Sequence, residues 1–223
     1  MSADPGAASV RAGRVVAVNL VHELRPDPHG DVARTAIDKR SVGHVVRLDL
    51  LGPVGDTVMD RRAHGGPDQA VYAYAQEDLD AWAAELGRDL RPGMFGENLT
   101  TTGVAVTGAV VGERWRVGTA ELVVRMPRTP CRTFQDWLGE PHWVKRFTDH
   151  GAPGAYLSVD LPGEVAAGSE VVVLDRPAHG VTIGEVFAGR ATDPDRLRVL
   201  LNGGGLAAKL EASIRKTLAV AAS

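Results

Sequence analysis

The sequence predicts a mainly β domain, a barrel or a sandwich, with a few short helices and a small helical extension at its C-terminal end. About six to nine short apolar segments have the composition of strands. Turns separate these segments, and the chain is rich in the residues that form turns, with 26 glycines and 13 prolines. Strands and helices do not alternate regularly, which argues against a parallel sheet. After position 177 the apolar residues recur at helical spacing.

The composition suits a soluble protein of one large domain, or of one domain with a small appendage. A chain of 223 residues with 44% hydrophobic and 24% charged residues can bury a substantial core. The formal net charge of -3 does not favour nucleic-acid binding. A single cysteine excludes an intramolecular disulfide and favours a reducing compartment. Because the sequence has neither a secretory signal pattern nor an apolar segment near the roughly 18 residues of a membrane span, we expect a cytoplasmic protein.

The first half of the chain is predicted to contain strands, loops and one helix. Residues 1–12 are expected to form a disordered tail, and the barrel domain is expected to cover residues 13–176. Strands are predicted at residues 15–21, 44–50 and 70–74. Three residues that disfavour strands, Pro26, Pro28 and Gly30, predict a loop over 22–31. A helix is predicted over Gln76–Leu86, because its apolar residues lie on one face.

The second half is predicted to complete the barrel and then to become helical. Further strands are expected within 99–111 and at 115–117, 121–126, 155–159 and 170–174, and short helices at 134–138 and 143–147. Residues 177–223 are expected to form three helices. Thr182 and Glu185 fit a capping box, and Asp193 precedes Pro194 as a helix start. Three such helices are too small to be stable alone, so they should pack on the barrel or on a second subunit, as in a homodimer.

The segment R-M-P-R-T-P-C-R-T, residues 125–133, contains Cys131. Pro127 and Pro130 keep its backbone extended. Three arginines place positive charge around the sulfur: Arg125, Arg128 and Arg132. Nearby cations favour the thiolate, which is the nucleophilic and metal-binding form of cysteine. A free cysteine is also commonly a small buried hydrophobe, so the local sequence leaves both interpretations open.

A second basic segment, R-R-A-H-G-G-P-D-Q-A, begins at Arg61 and Arg62. Paired arginines beside a glycine-rich backbone suit a phosphate or another anion, although an ordinary turn with solvated arginines fits equally well. His64 suits acid-base chemistry or a hydrogen bond across the turn. Asp68 suits a cap on the same turn. Lys39 and Arg40 are expected together in another loop.

The segment F-G-E-N-L, residues 95–99, places Glu97 beside Asn98. These polar side chains suit either hydrogen bonds to a polar ligand or a buried network that braces a strand end. The sequence contains no phosphate loop, dinucleotide fingerprint or nucleophile elbow.

Four motifs in series closely resemble a MOSC domain, from about residue 35 to residue 174. They are R-R-A-H-G-G-P-D-Q-A-V, F-G-E-N-L, G-E-R-W-R-V-G and P-R-T-P-C, in this order and at this spacing. The tail, from about residue 181, resembles the three-helix extension of the bacterial subgroup that confers resistance to 6-N-hydroxylaminopurine. The resemblance implies a MOSC-type β-barrel.

The resemblance also implies a molybdenum cofactor, molybdopterin with molybdenum, in which the pterin carries a phosphate and a dithiolene. Cys131 matches the protein ligand to molybdenum, and with His64 it is a predicted catalytic residue. The predicted cofactor-binding residues are Lys39, Arg61, Arg62, His64, Asp68, Asn98 and Arg128. No pyridoxal phosphate site is expected.

Proteins similar to this one reduce N-hydroxylated compounds, such as hydroxylaminopurines, with electrons from a separate flavin or iron-sulfur protein. The resemblance implies the same activity here, with no nucleic-acid or membrane partner. One alternative is a carrier that holds the cofactor, or a sulfur group on Cys131, without catalysis. Another is a metal-free thiol enzyme that uses Cys131 with His64 or His142. The chain departs from the family pattern at Arg125 and Met126, where related sequences often have a small polar residue and glutamine, and in its short tail.

Overall fold

A closed β-barrel forms the centre of the molecule. The computed structural model describes residues 12–30, 32–60, 65–189 and 193–221. The strands in this part of the chain are β1 (Ala12–Pro26), β2 (Arg34–Ser41), β3 (Val46–Asp49), β4 (Gly52–Pro53), β5 (Val71–Ala75), β6 (Leu99–Thr102), β7 (Arg114–Val117), β8 (Ala120–Pro127), β9 (Ala155–Leu161), β10 (Gly163–Val165) and β11 (Glu170–Asp175). The helices are α1 (Gln76–Leu86), α2 (Arg132–Leu138), α3 (Trp143–His150), α4 (Ile183–Phe187), α5 (Pro194–Asn202) and α6 (Ala208–Ala221), with a 3-10 helix at Pro67–Gln69.

The strand order distinguishes a barrel from a sandwich. Seven strands pair in the order β11-β7-β8-β9-β5-β6-β1, and β1 pairs again with β11, which closes the sheet. Strand β2 extends the barrel from the far end of β1, and β10, β3 and β4 form a separate small sheet. The pair β5–β6 is parallel, whereas the other paired strands run antiparallel. The predicted mainly β class is confirmed, and the architecture is the barrel.

Two apolar clusters stabilise the domain. One fills the barrel with aliphatic side chains such as Val18, Leu99 and Leu122. The other is mainly aromatic, lies under α1, α2 and α3, and includes Trp82 and Phe134. Burying these side chains removes apolar surface from water, which is the main favourable term in folding.

The C-terminal helices pack on the barrel. Ile183, Leu200 and Ile214, one from each of the three helices, are buried in the same cluster as the barrel residues. Helix α4 begins with the predicted capping box, in which Thr182 Oγ1 accepts from Glu185 N while the Glu185 carboxylate accepts from Thr182 N. Helix α5 begins at Pro194 after its N-cap Asp193, as predicted. None of the described helices is long and apolar enough to cross a membrane.

Three local predictions were wrong. Lys39 and Arg40 lie in β2 rather than in a loop, and β1 continues to Pro26, through part of the predicted loop. The β1–β2 hairpin contains two register shifts, and these bulges hide the alternating pattern that identifies a strand in sequence. Beyond β6, the segment predicted to contain further strands has a single isolated bridge, between Val110 and Thr182. Of the predicted tail, residues 1–11 lie outside the described part of the chain, and Ala12 belongs to β1.

Candidate functional site

A cavity of about 630 Å³ opens at one side of the barrel. Its volume is within the usual range for small-molecule and cofactor sites. Four predicted site residues from different parts of the sequence line it: Lys39, Asn98, Arg128 and Cys131. The predicted residues Arg61, Arg62 and His64 lie outside the described residues, but Gly65 and Gly66, which follow them, also line the cavity.

Cys131 lies where β8 leads into α2. Pro127 ends the strand, and the backbone stays extended until Cys131, whose φ is -133° and which is the N-cap of the helix. The thiol is free and half-buried. Because it lines the cavity, the sulfur is accessible to a ligand that enters there.

Arg128 is a buried cation without a carboxylate partner among the described residues. The residue is 6% exposed, and its Nη1 donates to the carbonyl oxygen of Phe95 at 2.7 Å. Its guanidinium carbon lies 3.9 Å from the ring centroid of Phe134 and 5.2 Å from that of Tyr72. Burial raises the pKa of both Tyr72 and Tyr156, so both phenols are neutral at physiological pH. The positive charge of Arg128 is therefore not compensated by these neighbours.

Lys39, in contrast, has a counter-charge. Its ammonium nitrogen pairs with the carboxylate of Asp56, and both side chains are less than a tenth exposed. Burial lowers the pKa of Lys39, and the neighbouring Asp56 carboxylate opposes that effect. Asp56 also accepts from the backbone N–H of Val21 at 2.9 Å and from Asn98 Nδ2 at 2.7 Å. Of these two buried cations of the cavity, Lys39 is therefore compensated by a carboxylate and Arg128 is not.

The F-G-E-N-L segment forms a braced wall of the cavity. The Oδ1 of Asn98 accepts from Tyr72 N at 3.2 Å, and its Nδ2 donates to Asn19 O and to Asp56. The neighbouring Glu97 is fully buried and accepts from three donors: Gly93 N, Phe95 N and Thr100 Oγ1. Burial raises the pKa of Glu97. Since these polar atoms are satisfied within the protein, the geometry supports a bracing network rather than direct ligand contacts.

Several residues of the predicted site region do not line the cavity. Asp68 lies in the 3-10 helix, where its Oδ1 is 2.7 Å from Arg125 Nη2, and it does not line the cavity. Arg132 pairs instead with Asp136 on the exposed side of α2. Of the three arginines around Cys131 in the sequence, Arg128 alone lines the cavity. Of the two histidines of the thiol-enzyme alternative, His142 is exposed at the N-cap of α3 and does not line the cavity, and His64 lies outside the described residues.

Sequence reasoning missed several polar residues that line the cavity, among them Asp27, Asp56, Thr133 and Tyr156. The hydroxyl of Thr133 donates to Asp27 Oδ2 at 2.6 Å, which joins the β1–β2 hairpin to the helix that follows Cys131. No spacing pattern marks these residues, because their partners are distant in the chain.

The comparison with known families agrees with this architecture. The family model described as MOSC domain matches residues 60–172, about half of the chain. The chain belongs to the MOSC domain family. It is 32% identical over 176 residues to YflK of Bacillus subtilis, with 79% of each protein covered. It is 30% identical over 188 residues to YiiM of Escherichia coli, covering 82% of this chain and 84% of that protein.

The chain is also similar to a fungal protein and to a solved crystal structure. A protein of Gibberella moniliformis named Reductase is 28% identical over 172 residues, which are 75% of this MOSC protein and 29% of the fungal one. The crystal structure of YiiM from Geobacillus stearothermophilus superposes with a TM-score of 0.76 at 24% identity, covering 92% of this chain and 99% of that one. This structural similarity confirms the fold of the MOSC barrel together with its C-terminal helices.

MOSC domains are associated in general with a molybdenum cofactor, and the described site residues fit such a group. The cofactor is anionic, and Arg128 supplies a buried positive charge that has no carboxylate of its own. It needs a soft protein ligand, and the free thiol of Cys131 is of this kind. Both residues line one cavity of sufficient size.

Proposed function

We propose that this MOSC protein is an oxidoreductase that binds a molybdenum cofactor and reduces N-hydroxylated compounds with electrons from a separate protein. The observation that supports it best is the buried, uncompensated charge of Arg128 in the cavity of the free Cys131 thiol. Burying a cation is costly unless an opposite charge pairs with it. An anionic ligand in the cavity would supply that opposite charge.

The protein residues have distinct roles in this proposal. The thiolate of Cys131 is the ligand for molybdenum, and Arg128 and Lys39 bind the anionic groups of the cofactor. When bound, the cofactor would supply the redox chemistry of the reduction. Reduction of a hydroxylamine to an amine consumes two electrons and two protons and releases one water. Asp27 and Thr133 line the cavity and are hydrogen-bonded to each other, so they offer polar groups to a bound substrate.

One relative supports an enzyme rather than a carrier. The fungal relative is named Reductase, and the matched region is 29% of its length. The other relatives have names that carry no activity, so the substrate class rests on the motifs of the family and on the chemistry of the cavity.

Metal content tests the proposal directly. The protein is purified from cells that synthesise the cofactor, and molybdenum and pterin are measured per chain in the wild type, in Cys131→Ser and in Thr129→Ala. Thr129 is an exposed residue of the same loop and serves as the control. We expect near-stoichiometric molybdenum in the wild type and in Thr129→Ala, and its loss in Cys131→Ser. Wild-type protein without molybdenum under every expression condition would contradict the proposal.

Turnover then separates a reductase from a carrier. The loaded protein is mixed with an artificial one-electron donor and an aromatic hydroxylamine, and formation of the amine is followed. A reductase produces amine at many times the molar amount of protein, whereas a carrier does not exceed one equivalent.

A further inference from the structure

We infer that Asp56 is a positioning residue of this site: it fixes Lys39 in the cavity and keeps its side chain cationic for an anionic ligand. The inference rests on the proposed function in one respect, namely that the ligand is the anionic cofactor. Neither its geometry nor its test depends on molybdenum.

The carboxylate of Asp56 joins three separate parts of the cavity wall. Its Oδ1 accepts from the backbone N–H of Val21 in β1, at 2.9 Å. Its Oδ2 accepts from Asn98 Nδ2, just before β6, at 2.7 Å, and from the ammonium group of Lys39 in β2. A carboxylate held by one backbone and two side-chain donors has little freedom to move, so it determines where the ammonium group lies.

Lys39 retains donors for a ligand. An ammonium group has three N–H donors, and Asp56 is the one hydrogen-bond acceptor of Lys39 Nζ within the described chain. The residue lines the cavity, so the remaining two donors are available there. Asn98 differs, because its Nδ2 and its Oδ1 are engaged within the protein. Asn98 therefore acts on the site through Asp56.

The charge of Lys39 depends on Asp56. Burial lowers the pKa of Lys39, while the Asp56 carboxylate and, to a smaller extent, Glu97 raise it. Other cations are present in this region: Arg91 donates to the backbone carbonyl of Lys39, and Arg34 and Arg128 line the same cavity. Asp56 has the largest effect in favour of the charged form, through both its charge and its hydrogen bond, so it is the main group that keeps the ammonium protonated.

The test removes the charge of Asp56 and keeps its shape. In Asp56→Asn one side-chain oxygen can still accept hydrogen bonds, but the carboxylate charge is lost and an NH2 group replaces the other acceptor. The chain has four lysines, so the ¹³Cε resonance of Lys39 can be followed separately in cofactor-free, lysine-labelled protein. We expect the pKa of Lys39 to fall by about one unit or more, since a close opposite charge shifts a pKa by about one to three units.

Binding of sulfate provides a second readout. Sulfate stays dianionic between pH 6 and 9, so the ratio of the dissociation constants of variant and wild type reports the protein alone. For Asp56→Asn we expect this ratio to increase between pH 6 and pH 9, by at most about tenfold for each unit by which the pKa of Lys39 falls. In Asp56→Asn with Lys39→Arg the increase should disappear, because arginine stays protonated in this range.

Asp49→Asn is the matched control. Asp49 also lines the cavity, but its carboxylate pairs with the exposed Arg47. The Asp49→Asn variant should leave the pKa of Lys39 and the pH dependence of sulfate binding unchanged. If Asp56→Asn does not fold, Asp56→Glu keeps the charge and displaces it, and we expect weaker sulfate binding with Lys39 still protonated.

An unchanged pKa of Lys39 in Asp56→Asn would overturn the inference. Unchanged sulfate affinity in either Asp56 variant would also overturn it, and so would a wild-type protein that does not bind sulfate. A protein without molybdenum would contradict the proposed function and leave these measurements intact. The two failures are therefore distinguishable.

Discussion

Replacing Arg128 by methionine should remove cofactor binding and leave the stability of the cofactor-free protein nearly unchanged. This outcome is unusual for a buried charged residue. Breaking a buried salt bridge typically costs about 3–5 kcal/mol, because the partner is left as an unpaired charge. Arg128 has no carboxylate partner among the described residues, so Arg128→Met leaves no such charge behind.

Opposing contributions set the expected magnitude. The variant loses a charged hydrogen bond to Phe95 O, of about 1.5–3 kcal/mol, and the contact with the Phe134 ring, of about 1–2 kcal/mol. It also no longer carries the desolvation penalty of a buried ion, which is several kcal/mol. Methionine fills the space of the arginine stem without strain. We therefore expect the free energy of unfolding to change by less than about 1.5 kcal/mol, a shift of a few degrees in Tm.

The assay is urea unfolding of the cofactor-free protein, together with molybdenum content after expression in cofactor-producing cells. Arg125→Met is the matched control, three residues earlier in the same segment, and it breaks the ion pair with Asp68. That control should lose about 1 kcal/mol or less and keep its cofactor. If Arg128→Met instead lost 3 kcal/mol or more, or bound the cofactor normally, Arg128 would be a structural residue and our reasoning would be wrong.

Two further predictions concern stability. Ile214→Ala in α6 should lower the free energy of unfolding by about 2–4 kcal/mol within a single urea transition, since Ile214 belongs to the barrel core. The control Val199→Ala, at an exposed position, should change it by less than about 0.5 kcal/mol. A separate unfolding transition for the C-terminal helices would contradict the shared core. Burial raises the pKa of Asp78. The contribution of its protonated form to the free energy of unfolding is therefore complete at low pH, and it declines from about pH 4 upward as pH rises through the raised pKa. Asp78→Asn should therefore gain stability relative to the wild type as pH rises toward 7, and Asp80→Asn, exposed on the same helix, should not.

Local signals in the sequence were reliable where the structure is itself local. The predicted bounds of α1, Gln76–Leu86, are those observed, because apolar spacing and the following Gly87 determine a helix within a few residues. The capping box of Thr182 and Glu185 was found for the same reason. Strand β2 was missed because two bulges interrupt its pairing with β1, so Lys39 could not be placed on a strand from its neighbours.

The candidate site could be predicted in part. Cys131 was identified through the family motifs and lines the cavity. Asp56 could not be found, because its partners Lys39, Val21 and Asn98 are 17, 35 and 42 residues away. The absence of a carboxylate beside Arg128 within the described structure is likewise a three-dimensional property. Sequence patterns identify which residues are charged, whereas the fold decides which charges are compensated.

This difference in compensation also links stability to ligand binding. Lys39 stays charged but is already paired with the Asp56 carboxylate before any ligand binds. An anion that binds near it therefore relieves little desolvation cost. Arg128 carries its desolvation cost until an anion enters, and binding then relieves that cost. A ligand that binds the native state alone stabilises it in proportion to its affinity. The cofactor should therefore stabilise the wild type much more than Arg128→Met, even though the two proteins are nearly equal in stability without it.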